Sequence, residues 1–275
     1  MKAKTRRRLL ISSIAMLLVA MLALGTATFA WFTSSTTATA NGINVKTIKA
    51  SELQISSATG GWGTTVDYGV SNKILMPTST VNGTNWFKAD AALKSNFAAK
   101  GSSIAAVTSE DANKYYFVNQ LNVRNNGSAD VDSVEITFTV PGTYARVALV
   151  ETNAKGLDNA NTGTFTSSVY SNDNVAYDGI KQLPTGTNST LVAADVVSIT
   201  PDQSGTVSIG TLRGKDYLNA HKANESDPDA TTGEAKYYNL YVWFEGQDAE
   251  CIDTNAGAVI SDITFSVTGV TASQS

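Results

Sequence analysis

The chain has 275 residues, of which 42% are hydrophobic and only 16% charged, and its formal net charge is −4. This length is sufficient for one large domain or two small ones. The acidic balance, without a basic cluster beyond the first eight residues, disfavours binding to nucleic acid or anionic lipid. Because Cys251 is the single cysteine, an intrachain disulfide is excluded and the fold must depend on an ordinary core.

The first thirty residues have the pattern of a secretory signal peptide. Five lysines and arginines within residues 2–8 precede an apolar run over residues 9–30. The small residues that end this run predict cleavage between Ala30 and Trp31, with cleavage after Ala27 as the alternative. The run is also long enough to span a membrane, so an uncleaved anchor is the competing interpretation. Either interpretation predicts export.

Residues 31–42 form an uncharged, threonine-rich segment without proline. Cleavage would leave a chain of about 245 residues with 15 basic and 24 acidic side chains, a net charge of −9. An uncharged β-forming segment pairs readily with an open sheet edge, which predicts an assembly arm donated to another copy. The residues that give the arm this character are Trp31, Phe32, Thr33, Thr37 and Thr39. A first strand of its own domain and a disordered tail are the alternatives.

Alternating apolar residues predict antiparallel strands along the remaining chain. The strand patterns cover residues 43–55, 114–124, 131–140, 237–244 and 259–270. Within residues 114–124 the apolar residues change from even positions, Tyr116 and Val118, to odd positions, Leu121 and Val123. This change predicts a shift of the strand pattern near Asn119. One short helix is predicted over residues 88–99, and polar segments predict long loops over 153–164 and 222–235.

No succession of helices and strands of the kind that builds a parallel sheet is present. The predicted fold class is therefore all-β: a jelly-roll-like antiparallel β-sandwich with long loops and one short helix, preceded by a signal peptide. The predicted domains are a signal peptide over residues 1–30, an extended arm over 31–42, and the sandwich over 43–275.

Three segments together resemble the TasA/camelysin family of exported proteins of Gram-positive bacteria. The first is ATFAWFTSSTTATANGINVKT, residues 27–47, in which an Ala-aromatic-aromatic group and a Ser/Thr-rich stretch precede the first alternating strand. The second is LNVRNNGSADVDSVEITF, residues 121–138. The third combines YVWFEGQDAEC and ISDITFSVTGV near the C-terminus. Residues 153–235 have no matching motif.

The resemblance implies a jelly roll, processing by a signal peptidase of the SipW type, and a place at the cell surface or in a biofilm matrix. For the fibre-forming members it implies that each subunit donates its N-terminal segment to the next. The predicted function is therefore an exported structural protein that polymerises with itself, without a cofactor or a nucleic-acid partner. One alternative is a monomeric surface-attached module that binds carbohydrate or protein, with Trp62, Trp86 and Trp243 as candidate stacking residues. The other is a camelysin-like metallopeptidase.

The sequence offers few groups for catalysis. Zinc peptidases commonly use a His-Glu-x-x-His motif, whereas His221 is the single histidine here and Lys222 follows it. The Gly-x-Ser-x-Gly motif of serine hydrolases is also absent, and Cys251 is predicted to be a buried apolar residue. Two acidic loops, residues 226–234 and 171–179, are calcium candidates without the EF-hand pattern. We therefore predict a protein that is not an enzyme, with no catalytic or metal site.

Overall fold

Strands dominate the computed structural model, which describes residues 44–48, 52–70, 73–89, 104–140, 142, 144–157, 165, 169–172, 177–180, 196–248, 251 and 263–271. The strands of these residues are β1 (Asn44–Ile48), β2 (Leu53–Ser56), β3 (Thr65–Asp67), β4 (Phe87–Ala89), β5 (Ile104–Ala106), β6 (Tyr116–Asn125), β7 (Val131–Thr139), β8 (Ala145–Thr152), β9 (Val169–Tyr170), β10 (Tyr177–Ile180), β11 (Val196–Ile199), β12 (Thr206–Leu212), β13 (Ala235–Phe244) and β14 (Thr264–Thr271). The helices are α1 (Ala112–Tyr115) and α2 (Lys215–Ala220).

Two five-stranded sheets form the framework. The first has the spatial order β12-β7-β14-β1-β3 and the second β2-β6-β13-β8-β9, while β4-β5 and β10-β11 form separate pairs. Successive strands β6, β7 and β8 alternate between the sheets, and so do β12, β13 and β14, which is the wrapping of a jelly roll. The predicted all-β sandwich is confirmed. Among the named strands, β1 and β14 are the one parallel pair in otherwise antiparallel sheets.

The main hydrophobic core lies between the inner faces of the two sheets. Alternate residues of each strand enter it because successive side chains in a strand point to opposite faces. Val134, Ile136 and Phe138 of β7 contribute from the first sheet, and Leu240 and Val242 of β13 from the second. Each large apolar side chain that is fully buried stabilises the fold by about 1.5–3 kcal/mol. Burial between the two sheets therefore supplies the stability that disulfides give to many small secreted domains.

The outer face of the second sheet is also covered. A crossing segment, residues 78–86, lies on this face and places Val81 and Trp86 against it. Trp86 stacks on Tyr116 with ring centroids 4.0 Å apart and meets Trp243 edge-on at 5.6 Å. Tyr241 and Phe165 belong to the same outer aromatic cluster. Burial on both faces explains why β13 reads as an almost continuous apolar run rather than an alternation.

Two details of the sequence prediction require correction. Strand β6 pairs with β13 in unbroken register, so the shift predicted near Asn119 is wrong. The phase changes because Tyr116 and Val118 pack into the outer aromatic cluster whereas Leu121 and Val123 enter the main core. The predicted helix over 88–99 begins in strand β4, since Lys88 and Ala89 belong to it, and residues 90–99 lie outside the described part of the chain.

A turn at Gly83 holds the crossing segment against the second sheet. Its φ is +68°, and an added Cβ would lie 2.7 Å from ring carbons of Phe165 and Tyr241. We therefore expect Gly83→Ala to lower the free energy of unfolding by about 1–3 kcal/mol, because backbone strain and overpacking both destabilise. Gly69 has a φ of +66° but meets no atom of the described residues within 4 Å. Gly69→Ala is the matched control for strain alone, and equal losses in denaturant unfolding would contradict the packing argument.

Candidate functional site

The residues predicted for processing and assembly lie outside the described part of the chain. They are Ala30, Trp31, Phe32, Thr33, Thr37 and Thr39. The first described element after them is β1, which is hydrogen-bonded on both sides within the first sheet. All five residues of β1 pair with β14, while only Asn44, Val45 and Lys46 pair with β3. The first described strand after the predicted arm is therefore interior to its sheet.

The pairing of β1 leaves one stretch of backbone beside it uncovered by any named strand. On the β3 side, Thr47 and Ile48 extend past the last residue that pairs with β3, and no other described strand pairs with them there. The outer edges of the sheets are otherwise short or irregular: β9 has two residues, β2 has four, and β12 has register shifts on both sides of Gly210. Such edges resist uncontrolled pairing. We call β1, including Thr47 and Ile48, the assembly seam.

A buried charged cluster lies where β13 ends. Glu245 is fully buried, and its carboxylate accepts hydrogen bonds from the Trp243 indole at 2.9 Å and the Gln247 backbone N–H at 3.2 Å. Nearby, the buried guanidinium of Arg146 lies 3.0 Å from the Asp248 carboxylate. Burial raises the pKa of Glu245 to about 7, although the Trp243 hydrogen bond and the positive charge of Arg146 act in the opposite direction.

Glu245 and its neighbours tie the crossing segment to the second sheet. The Thr78 N–H donates to the Phe244 carbonyl at 3.0 Å, and the Gly246 N–H donates to the Thr78 carbonyl at 3.0 Å. The Gln247 side chain donates to the Ser79 hydroxyl at 3.2 Å. Because the carboxylate is enclosed by protein donors, the cluster is suited to holding the crossing segment against the second sheet. Sequence analysis treated Glu245 and Asp248 only as parts of an acidic turn and missed Arg146, although a lone arginine within the apolar run ARVALV is an informative signal.

One of the three candidate stacking tryptophans reaches the surface. Trp86 and Trp243 are 4% and 0% exposed, so neither can stack on a sugar, whereas Trp62 is partly exposed. The guanidinium carbon of Arg124 lies 4.6 Å, and the ammonium nitrogen of Lys155 5.3 Å, from the centroid of the Trp62 ring. Tyr237 meets the same ring edge-on at 6.5 Å. These four residues form what we call the Trp62 platform.

The remaining candidates for chemistry do not converge. His221 follows α2 as an exposed residue, stacks on Tyr217 with ring centroids 4.0 Å apart, and has Nδ1 2.9 Å from the Tyr217 carbonyl oxygen. Cys251 is buried, and burial raises the pKa of its thiol to about 12, so it is not a thiolate at neutral pH. In the acidic loop 226–234, the ammonium of Lys222 pairs with Asp229 and donates to the Asp227 carbonyl, which places a protein cation among the carboxylates.

Metal-binding clusters, membrane-spanning helices and similarity to known proteins complete the description of the candidate sites. No three His, Cys, Asp or Glu side chains among them are grouped closely enough to hold a metal ion. The second calcium candidate, residues 171–179, falls largely outside the described part of the chain. Neither described helix is long and apolar enough to cross a membrane. Comparison of the chain with protein-family models, curated proteins and solved structures gave no significant match.

Proposed function

We propose that this chain is an exported structural protein of the cell surface or of a biofilm matrix, which polymerises into fibres through its N-terminal arm. The observation that carries this proposal is the position of β1. A segment that follows directly into a strand bonded on both sides is anchored in the interior of its own sheet. An arm anchored in this way can transmit tension from one subunit to the next.

The assembly seam supplies the complementary half of such a contact. Among the described strands, none pairs with Thr47 and Ile48 on the β3 side. A donated strand that pairs there gains ladder hydrogen bonds, and the burial of Trp31 and Phe32 adds about 1.5–3 kcal/mol for each ring. Because each subunit donates at one place and accepts at another, the contact repeats head to tail and gives an open filament.

Processing and location follow from the N-terminal sequence. The basic head and apolar run support export, and the resemblance to the TasA/camelysin family supports cleavage between Ala30 and Trp31 by a peptidase of the SipW type. The partners proposed are therefore other copies of the chain and this peptidase, with membrane contact only before cleavage. We propose no enzymatic activity, because His221 and Cys251 have the surroundings of structural residues.

Deletion of residues 31–40 tests the proposal. The chain that begins at Trp31 should form filaments in negative-stain microscopy and sediment as polymers, whereas the deleted chain should remain a folded β monomer. The deletion leaves every described strand intact, so circular dichroism should be unchanged. Filaments of equal length from the intact and deleted chains would overturn the proposal.

Processing gives a further prediction. A chain with extra residues ahead of Trp31 should assemble poorly, and the exported protein should begin at Trp31 in N-terminal sequencing.

A further inference from the structure

The Trp62 platform brings together two cations that are distant in the sequence. Arg124 lies on β6 and Lys155 in the loop after β8, yet both side chains lie over one indole ring. Within the described part of the chain, neither cation is within ion-pair distance of a carboxylate. The proposed mature chain has nine more acidic than basic residues. A site with two cations and no carboxylate partner is therefore unusual for this chain.

The loops that build the platform are held in place by buried amide side chains. The side chain of Gln120, on the outer face of β6, accepts from the Gly156 N–H at 2.7 Å and donates to the Ala154 carbonyl at 3.2 Å. The Asn122 amide donates to the Ser57 carbonyl at 3.2 Å. These contacts fix residues 57–63 and 153–157 against the sheet before any ligand arrives. A preorganised site loses less entropy on binding.

The cations of the platform are oriented rather than neutralised. The Arg124 Nε and Nη2 atoms both donate to the side-chain amide oxygen Oε1 of Gln54, at 2.9 and 2.6 Å, so an uncharged group fixes the guanidinium plane. Lys155 donates to the Gly60 carbonyl, which is also uncharged. Both side chains therefore have further N–H donors for an anion. Guanidinium groups bind carboxylates with particular geometric preference.

We propose that the Trp62 platform is a binding site for an acidic polysaccharide whose sugar rings carry carboxylates. Carboxylates pair with Arg124 and Lys155, which lie over the Trp62 ring, while the partly exposed ring of Tyr237 offers apolar surface to the C–H groups of the sugar. Charge complementarity supports this ligand, since the rest of the chain is acidic and the platform is a positive site within it. The platform shares no residue with the assembly seam and takes a different ligand, although a matrix location would place such polymers near it.

Binding of polygalacturonate to purified residues 31–275 tests this site, with neutral dextran and polyglutamate as comparison polymers. Calorimetry or co-sedimentation should show binding of polygalacturonate that weakens as salt is raised, and weaker or no binding of the other two polymers. Lys155→Gln should weaken the affinity about fivefold, whereas Lys215→Gln, which removes the same charge on α2, should leave it unchanged. Lys155 is exposed and Lys215 is partly exposed, and neither belongs to the core, so both variants should fold, which circular dichroism checks.

Three results would overturn the proposal. An absence of polygalacturonate binding to the folded protein removes the site. Equal weakening by Lys155→Gln and Lys215→Gln means that the attraction is general rather than located at the platform. Binding of polyglutamate as tight as that of polygalacturonate means that the platform recognises acidic polypeptide, such as another protein, and not a sugar. The arm-deleted chain should bind as well as the intact one, so a failure of polymerisation does not affect the outcome.

Discussion

The free energy of unfolding should fall as the pH rises from about 5 to about 7, because Glu245 loses a proton in the folded protein only at the end of that range. Its pKa is raised from 4.5 to about 7 by burial. Between these values the unfolded chain has already released the proton, while the folded chain still holds it. Folding therefore binds a proton in this window, and stability decreases as protons become scarce.

The expected size of this decrease between pH 5 and pH 7 is roughly 2 kcal/mol, since the loss of one proton costs about 1.4 kcal/mol for each pH unit between the two pKa values. Glu245→Gln removes the titrating group but keeps a side chain of nearly the same shape beside Trp243. Its stability should vary much less between pH 5 and pH 7. Glu225→Gln is the matched control, because it makes the same change at an exposed loop position. Denaturant unfolding at several pH values measures the effect, and parallel curves for Glu245→Gln and the unaltered protein would contradict it.

Glu245 lies in the turn that connects the crossing segment to the second sheet. A buried carboxylate requires strong hydrogen bonds, and here they come from the indole of Trp243 and the backbone of the following turn. The same turn pairs with Thr78, so loss of the carboxylate geometry loosens the segment that covers the outer aromatic cluster. The pH dependence should therefore appear in the fluorescence of Trp86 and Trp243 as well as in global unfolding.

Strands with one polar face could be predicted from the sequence. In β7, Ser133, Glu135 and Thr137 alternate with residues of the core, and the strand lies where the pattern placed it. Strand β6 was harder, because both of its faces are buried and periodicity cannot distinguish them. The phase error near Asn119 follows directly from that covering layer, which is contributed by a segment distant in sequence.

Sheet order and the candidate sites depended on contacts that local patterns do not encode. The parallel pairing of β1 with β14 joins the two ends of the fold, and no periodicity in either strand specifies its partner. The Trp62 platform likewise combines residues from separate segments. Sequence analysis identified Trp62 as a candidate but not Arg124 or Lys155, since neither lies in a basic cluster. The Arg146–Asp248 pair is a similar case, linking β8 to the turn after β13.

Proline at two positions of the arm should abolish filament formation. Proline has no backbone N–H and fixes φ, so a donated strand that carries Thr37→Pro and Thr39→Pro loses two ladder hydrogen bonds and fits poorly between neighbours. These substitutions leave Trp31 and Phe32 in place, which separates strand pairing from simple hydrophobic attraction. The folded domain from residue 44 onward should keep its stability, because no described strand is altered.

The matched control is the double variant Thr37→Val and Thr39→Val. Valine is similar in shape to threonine and favours extended structure, so this arm should still pair and filaments should persist. Sedimentation and negative-stain microscopy of the two variants, at equal protein concentration, provide the measurement. If both variants polymerise like the unaltered chain, the subunits are joined by apolar contacts of Trp31 and Phe32 without strand donation. If the valine variant also fails, the threonine hydroxyls themselves are required and backbone pairing is not the source of assembly.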